Sequence, residues 1–175
     1  MSSGDTPTPA AAAQLSADEL RQRAAIAKQI AGSFGDIVTL LLRSPSERKR
    51  PIEDLKWMVI PALQAGQFAV AEAQSQETGT VTPAGVVLWA IVSESVDQRL
   101  ARDLDQPMRL AAEEWRSGSI PWIVAAFGET KVVGGLLQQL SKTVFKGTPA
   151  RIRARGPDGK PFVGRLELSG QTPEA

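Results

Sequence analysis

Side chains able to do chemistry are few here: among 175 residues there is no His, no Cys and no Tyr. Without Cys there is no disulfide framework, no thiolate nucleophile and no Cys-ligated metal or iron–sulfur site. Without His there is no imidazole base, no His-based triad and no imidazole ligand for a metal. If the chain is an enzyme, its proton transfers run through Asp, Glu, Lys, Ser, Thr, backbone or water. The cations form two clusters. Arg43, Arg48, Lys49 and Arg50 surround the segment Ser44-Pro45-Ser46-Glu47. Arg151, Arg153 and Arg155 alternate, so on a strand they share one face. Such a row suits an acidic protein partner, or it keeps a solvent-facing strand charged against edge-to-edge pairing. Trp57, Trp89, Trp115 and Trp122 are either core fillers or the walls of an apolar slot.

The elements that must position these residues belong to one domain. At 18.7 kDa, with 42% hydrophobic and 22% charged residues, the chain has globular composition. Twenty basic against nineteen acidic side chains leave a net charge of +1, which disfavours nucleic acid as a partner. Residues 1–15, rich in Ser, Thr, Pro and Ala, read as a disordered tail, 16–170 as the folded domain, and 171–175 as a loose end. The N-terminus has neither a basic start nor an apolar stretch, so no targeting segment is expected. The longest strongly apolar run, Val86 to Val92, is far below the ~20 residues of a membrane helix. A soluble, cytoplasmic protein with no membrane span is the expectation.

Ser16 with Glu19 has capping-box spacing, and Leu20, Ala24, Ala27 and Ile30 follow at helical intervals up to Gly32. A second helix is expected from Ser33 to Leu41, ending at Ser44-Pro45. Ile52 to Gln64 reads as a helix kinked or shortened by Pro61. Phe68–Ala73 and Gly85–Ser93 read as strands of a long-looped hairpin, the second apolar on both parities and therefore covered on both faces. Glu94–Asp103 is helical, Trp122–Phe127 a buried strand, and Glu129–Val144 a helix. Arg151–Arg155 and Lys160–Leu168 flank Pro157-Asp158-Gly159 as a hairpin. These elements together predict an α+β fold with helices on a largely antiparallel sheet.

Motifs spread from Gly35 to Leu168 resemble one family, the toxin-activating lysine-acyltransferases that fatty-acylate RTX toxins. They are Ser44-Pro45 with Arg48 and Pro51, Val59-Ile60-Pro61-Ala62-Leu63 with Gln67-Phe68, and Leu88-Trp89-Ala90 leading into Ser93-Glu94. Then come Glu114-Trp115-Arg116-Ser117-Gly118, Ala126-Phe127-Gly128, Lys146-Gly147, Arg153 and Pro157-Asp158-Gly159-Lys160. The resemblance implies a GNAT-like fold, a mixed and mostly antiparallel sheet flanked by helices. It implies transfer of a fatty acyl group from an acyl carrier protein thioester to a lysine ε-amine of a target protein, with no bound cofactor and no metal. A homodimer or a larger complex is also in keeping with it.

Two departures bear on mechanism. The family's catalytic histidine stands two residues after Ser-Pro, where this chain has Glu47. The family's aspartate before Ala-Pro-Phe-Gly has no counterpart in Pro121-Trp122-Ile123-Val124-Ala125-Ala126. A lysine amine, with pKa near 10.4, is neutral in only about one molecule in 2,000 at pH 7, so a base must help. Glu47 could take the proton directly or through water, although Arg48, Lys49 and Arg50 would stabilise its charged form. The alternative is a solvated loop carboxylate. Ser93, at the end of the strand, is either the place where a backbone N–H meets the thioester carbonyl or the N-cap of the next helix. Two functions therefore stand: acyl transfer with Glu47 as replacement base, which requires Glu47 to face a cleft, or a catalytically degenerate member acting as a binding or scaffolding subunit.

Overall fold

The computed structural model describes residues 16–166; the tails expected at 1–15 and 171–175 lie outside them. Ser16 caps helix α1 (Ala17–Arg43) by the expected capping box: the Glu19 N–H donates to Ser16 Oγ at 3.2 Å and the Ser16 N–H donates to the Glu19 carboxylate at 2.7 Å. The two helices expected on either side of Gly32 are one. Gly32 and Gly35 stand in open surroundings within it, and a helical glycine costs only about 1 kcal/mol against alanine. That is too little to stop a helix whose C-terminal third buries Ile37, Leu40 and Leu41 in the core. By length and composition alone α1 would reach across a bilayer; the residues just named tie its C-terminal third to the sheet, while most of its N-terminal part is exposed. Ser44, extended at ψ 119° ahead of Pro45, ends it as expected.

The segment read as one helix from Ile52 is broken into a 3-10 turn (Ile52–Asp54), α2 (Leu55–Met58) and α3 (Ile60–Ala65). Pro61 sits in the first turn of α3, where its missing N–H does no harm. Gly66, at φ 63°, reverses the chain into the sheet.

Five strands form one sheet in the order β1-β2-β3-β4-β5. These are β1 (Phe68–Gln74), β2 (Val81–Val92), β3 (Ile120–Gly128), β4 (Ala150–Arg155) and β5 (Pro161–Leu166). Helices α4 (Glu94–Arg102) and α5 (Thr130–Thr143) connect them. The sheet is mixed and mostly antiparallel, with helices packed on it, as the sequence predicts. Val86 to Val92 is covered on both faces: Val86, Leu88, Ala90 and Val92 face the cluster holding α1, α2 and α3, while Val87 and Trp89 face α5 with Leu140 and Phe145.

The one parallel pairing, β3 with β4, spans only Trp122 opposite Arg151 and Ile123 opposite Ile152. Both strands run on past it, β3 to Gly128 still paired with β2 and β4 to Arg155 still paired with β5. The sheet therefore opens along this seam. In β3 the opening starts at Val124, an extra residue bulged between Ile123 opposite Trp89 and Ala125 opposite Leu88.

Candidate functional site

Where β3 and β4 part there is a cavity of about 510 Å³, within the range of small-ligand sites. One wall is Ile123–Phe127 of β3 and the facing wall is Ile152–Arg155 of β4. The loop after α4 supplies Leu104 and Met108, and the 3-10 turn with α2 supplies Asp54, Trp57 and Met58. The lining is mixed: Met58, Met108, Ile123, Val124 and Phe127 supply apolar surface, while Glu47, Arg50 and Asp54 on one side and Arg153 and Arg155 on the β4 wall supply charge. Alternate backbone N–H groups of β3 beyond Ile123 point to the side from which β4 has withdrawn, so they have no strand to donate to.

Glu47 and Arg50 stand at this cavity. The turn that places them is closed by its own backbone: Glu47 N–H and Arg48 N–H both donate to Ser44 C=O, at 3.1 and 2.9 Å, and Arg50 N–H donates to Glu47 C=O at 2.8 Å. Glu47 is half-buried as a result, while Arg48 and Lys49 are exposed. The Arg50 guanidinium clamps one carboxylate oxygen of Glu47, donating from Nε at 2.8 Å and from Nη2 at 2.5 Å. Its Nη1 lies 3.5 Å from Asp54. Asp54 also accepts from Trp57 Nε1 at 2.9 Å and lies 3.9 Å from Arg109, whose guanidinium covers the Trp57 ring at 5.7 Å. Glu47 thus faces a cleft, but as one half of an ion pair. Asp54 is the site residue that reading the sequence for chemistry does not assign; Arg50 enters there only as a cation stabilising charged Glu47, and Trp57 as a core filler or slot wall. The spacing of Asp54 and Trp57, three apart in a helical segment, was the available signal.

Ser93 is elsewhere. It follows Val92, opposite Ile120 where β3 begins, and is not among the cavity's lining residues. It does stand at the N-cap of α4, with Asp97 N–H donating to its C=O at 2.9 Å, yet its hydroxyl faces Ser95 Oγ at 3.1 Å rather than a helix N–H. Its own N–H donates to Ser117 Oγ at 2.9 Å, which leaves that donor engaged within the fold.

The three alternating arginines of β4 are likewise engaged. Arg151 Nε lies 3.1 Å from Asp97 Oδ1, the same oxygen that accepts from Trp122 Nε1 at 2.8 Å. Asp97 of α4, only 5% exposed, so binds both residues of a cross-strand pair and closes the near end of the seam. Arg153 donates from Nε and Nη2 to Leu100 C=O, at 3.1 and 2.7 Å, and from Nη1 to Gln106 C=O at 2.6 Å. It thereby satisfies a carbonyl that the last turn of α4 leaves free. Burial pushes the Arg153 guanidinium below its ordinary value, opposed by nearby Asp103. Arg155 donates to Gly159 C=O at 3.0 Å, across its own hairpin.

The motif Glu114-Trp115-Arg116-Ser117-Gly118 is structural in each member. Glu114 holds Arg99 at 2.8 Å, Trp115 is buried, Arg116 donates to Ala65 C=O and Ser117 receives Ser93 N–H. A side chain at Gly118 would meet the backbone of Val92 and Ser93. Among the described residues no three carboxylates gather as a metal site.

Comparison with known proteins gives two matches. A model of the RTX toxin acyltransferase family matches residues 26–162. The lysine-acyltransferase RtxC of Vibrio cholerae serotype O1 is 29% identical over 120 residues, which is 67% of this chain and 71% of that protein.

Proposed function

The chain belongs to the RTX toxin acyltransferase family, and from that premise we propose that it moves a fatty acyl group from the thioester of an acyl carrier protein to the ε-amine of a lysine on a target protein, with Glu47 in the place of the family's histidine. The observation that carries this reading is the opening of the sheet between β3 and β4, which leaves a cavity with an apolar strip from Met58, Met108 and Ile123 to Phe127 and the Glu47 carboxylate in its lining. Each methylene of an acyl chain buried there contributes about 0.8 kcal/mol. Met58 and Met108 suit such a chain, being unbranched and adaptable.

In this mechanism the thioester carbonyl lies in the gap, where β3 N–H groups beyond Ile123 donate to the oxygen as negative charge develops on it. The neutral lysine nitrogen attacks the carbonyl carbon. The C–N bond forms, the C–S bond breaks, Glu47 accepts the proton shed by nitrogen, and the carrier's thiolate leaves and is protonated from solvent. The Arg50 clamp holds Glu47 in position at the expense of its basicity, because a guanidinium favours the charged carboxylate. The reaction is accordingly slow for an enzyme of this kind. With a carrier protein as donor we place it in the cytoplasm, as a single folded domain over 16–170 that works alone, as a homodimer or within a larger complex.

The clamp favours a second reading, in which the cleft binds an acyl chain without transferring it and the chain serves as a binding or scaffolding subunit. One experiment separates the two. The protein is incubated with acyl carrier protein loaded with a sixteen-carbon acyl group and a lysine-bearing RTX toxin fragment, and lysine acylation is followed by mass spectrometry. Transfer by the wild type, a loss of about a hundredfold in Glu47→Gln and a gain in Glu47→His are expected, since a positioned base contributes ~10²–10⁴-fold. An unchanged rate in Glu47→Gln removes Glu47 from the mechanism, and acyl binding without transfer leaves the second reading.

A further inference from the structure

The turn that carries Glu47 inward carries Arg48 and Lys49 outward, beside Arg43 at the end of α1. Residues 43–50 hold four cations and one carboxylate. Of these, Arg50 and Glu47 neutralise each other at the cavity, and Arg50 is shared with Asp54. Arg43, Arg48 and Lys49 are exposed, and among the described residues none of them has a carboxylate within ion-pair distance. Arg43 Nη1 donates to Pro83 C=O at 3.3 Å, which ties its guanidinium to β2 and holds it beside the turn. Exposed Glu129 borders the same surface hollow as Arg43 without pairing with it.

We propose that the outward face of this turn, with Arg43, Arg48 and Lys49, is where the acidic protein bearing the acyl thioester docks; the proposal rests on the reading of the β3–β4 cleft as the acyl site. Two considerations choose the donor over the acceptor. A cationic rim repels the lysine ammonium that the acceptor must bring, while it attracts a donor with a negative surface. Carrier-bound acyl groups also need a protein contact close to the mouth of the cleft, and Arg48 and Lys49 directly follow the carboxylate that lines it. The arginines of β4, the other row in the sequence fit for an acidic partner, are engaged within the fold.

The test compares wild type with Arg48→Glu/Lys49→Glu, using acyl carrier protein loaded with a sixteen-carbon chain and, separately, the same chain on free pantetheine. Carrier binding is read by fluorescence anisotropy from 50 to 300 mM salt. The double variant should bind the carrier at least about tenfold more weakly, with a flatter salt dependence, because two attractive charges have become repulsive. Arg48→Gln/Lys49→Gln should fall between them. Binding of the acyl-pantetheine, which carries no acidic surface, should be the same in all three, which reports that fold and cleft are intact. Unchanged carrier binding in the reversed variant, no carrier binding by the wild type, or salt-sensitive capture by anionic vesicles in place of the carrier would each overturn the proposal. Failure of the wild type to bind acyl-pantetheine would instead count against the cleft.

Discussion

The two ends of the β3–β4 seam use the same pair of groups to opposite effect. At the closed end Asp97 is buried and one of its oxygens receives both Trp122 of β3 and Arg151 of β4, so a carboxylate reaching down from α4 pins the two strands together. At the open end Glu47 and Asp54 share Arg50, and none of the three comes from either strand. There the carboxylates border the gap without bridging it. A buried carboxylate whose partners lie on two elements is a clasp, whereas a half-exposed one paired within its own turn leaves the space beside it for a ligand.

The difference is sharpest in stability. Asp97→Ala leaves an arginine and an indole N–H without their acceptor, and should cost about 3 kcal/mol, read as a lower urea midpoint. A loss under about 1 kcal/mol would make the closed end no clasp at all. Arg153→Ala removes three hydrogen bonds to the C-terminal end of α4 and the following loop, and should cost about 2 kcal/mol. Amide exchange should rise in 100–106 before it rises in β2. Glu47→Gln should change stability by about 0.5 kcal/mol or less, because partly exposed ion pairs within one turn contribute little. It should cost activity instead.

The smallest effect concerns acid. A hydrogen bond from Arg102 holds the exposed Asp103 carboxyl below its ordinary value. Its stabilisation is therefore present above the unfolded carboxylate value and is lost as pH falls through the lower folded value. Asp103→Asn should flatten the acid limb of the stability–pH curve slightly and leave the neutral plateau in place, as thermal melts between pH 3 and 7 would show.

Much of this architecture was legible in the sequence because it rests on local pattern. The capping box at Ser16, the doubly covered strand at Val86–Val92 and the hairpin around Asp158-Gly159 are each written in a few neighbouring residues. Gly32 misled because its cost is local and small while the burial of Ile37, Leu40 and Leu41 is not. The arginines of β4 share a face as alternation requires, but alternation does not say that α4 lies over that face with a carbonyl at Leu100 awaiting a donor. The clasp was hidden for the same reason: Asp97, Trp122 and Arg151 are far apart in the chain and meet only through the register of a parallel pair. Glu47 was found by its place in a motif, and its clamp by Arg50 depends on a backbone turn that the sequence implies only through Pro45.

The claim on which the rest turns is that the open end of the seam holds the acyl chain. Acyl carrier protein loaded with a chain ending in a diazirine, photolysed on the protein and mapped by peptide mass spectrometry, tests it directly. Adducts on Met58, on 104–108 and on 123–127 are the predicted result. Adducts confined to the apolar groove between α1 and α3 at Ile30, Phe34 and Leu63 would contradict it.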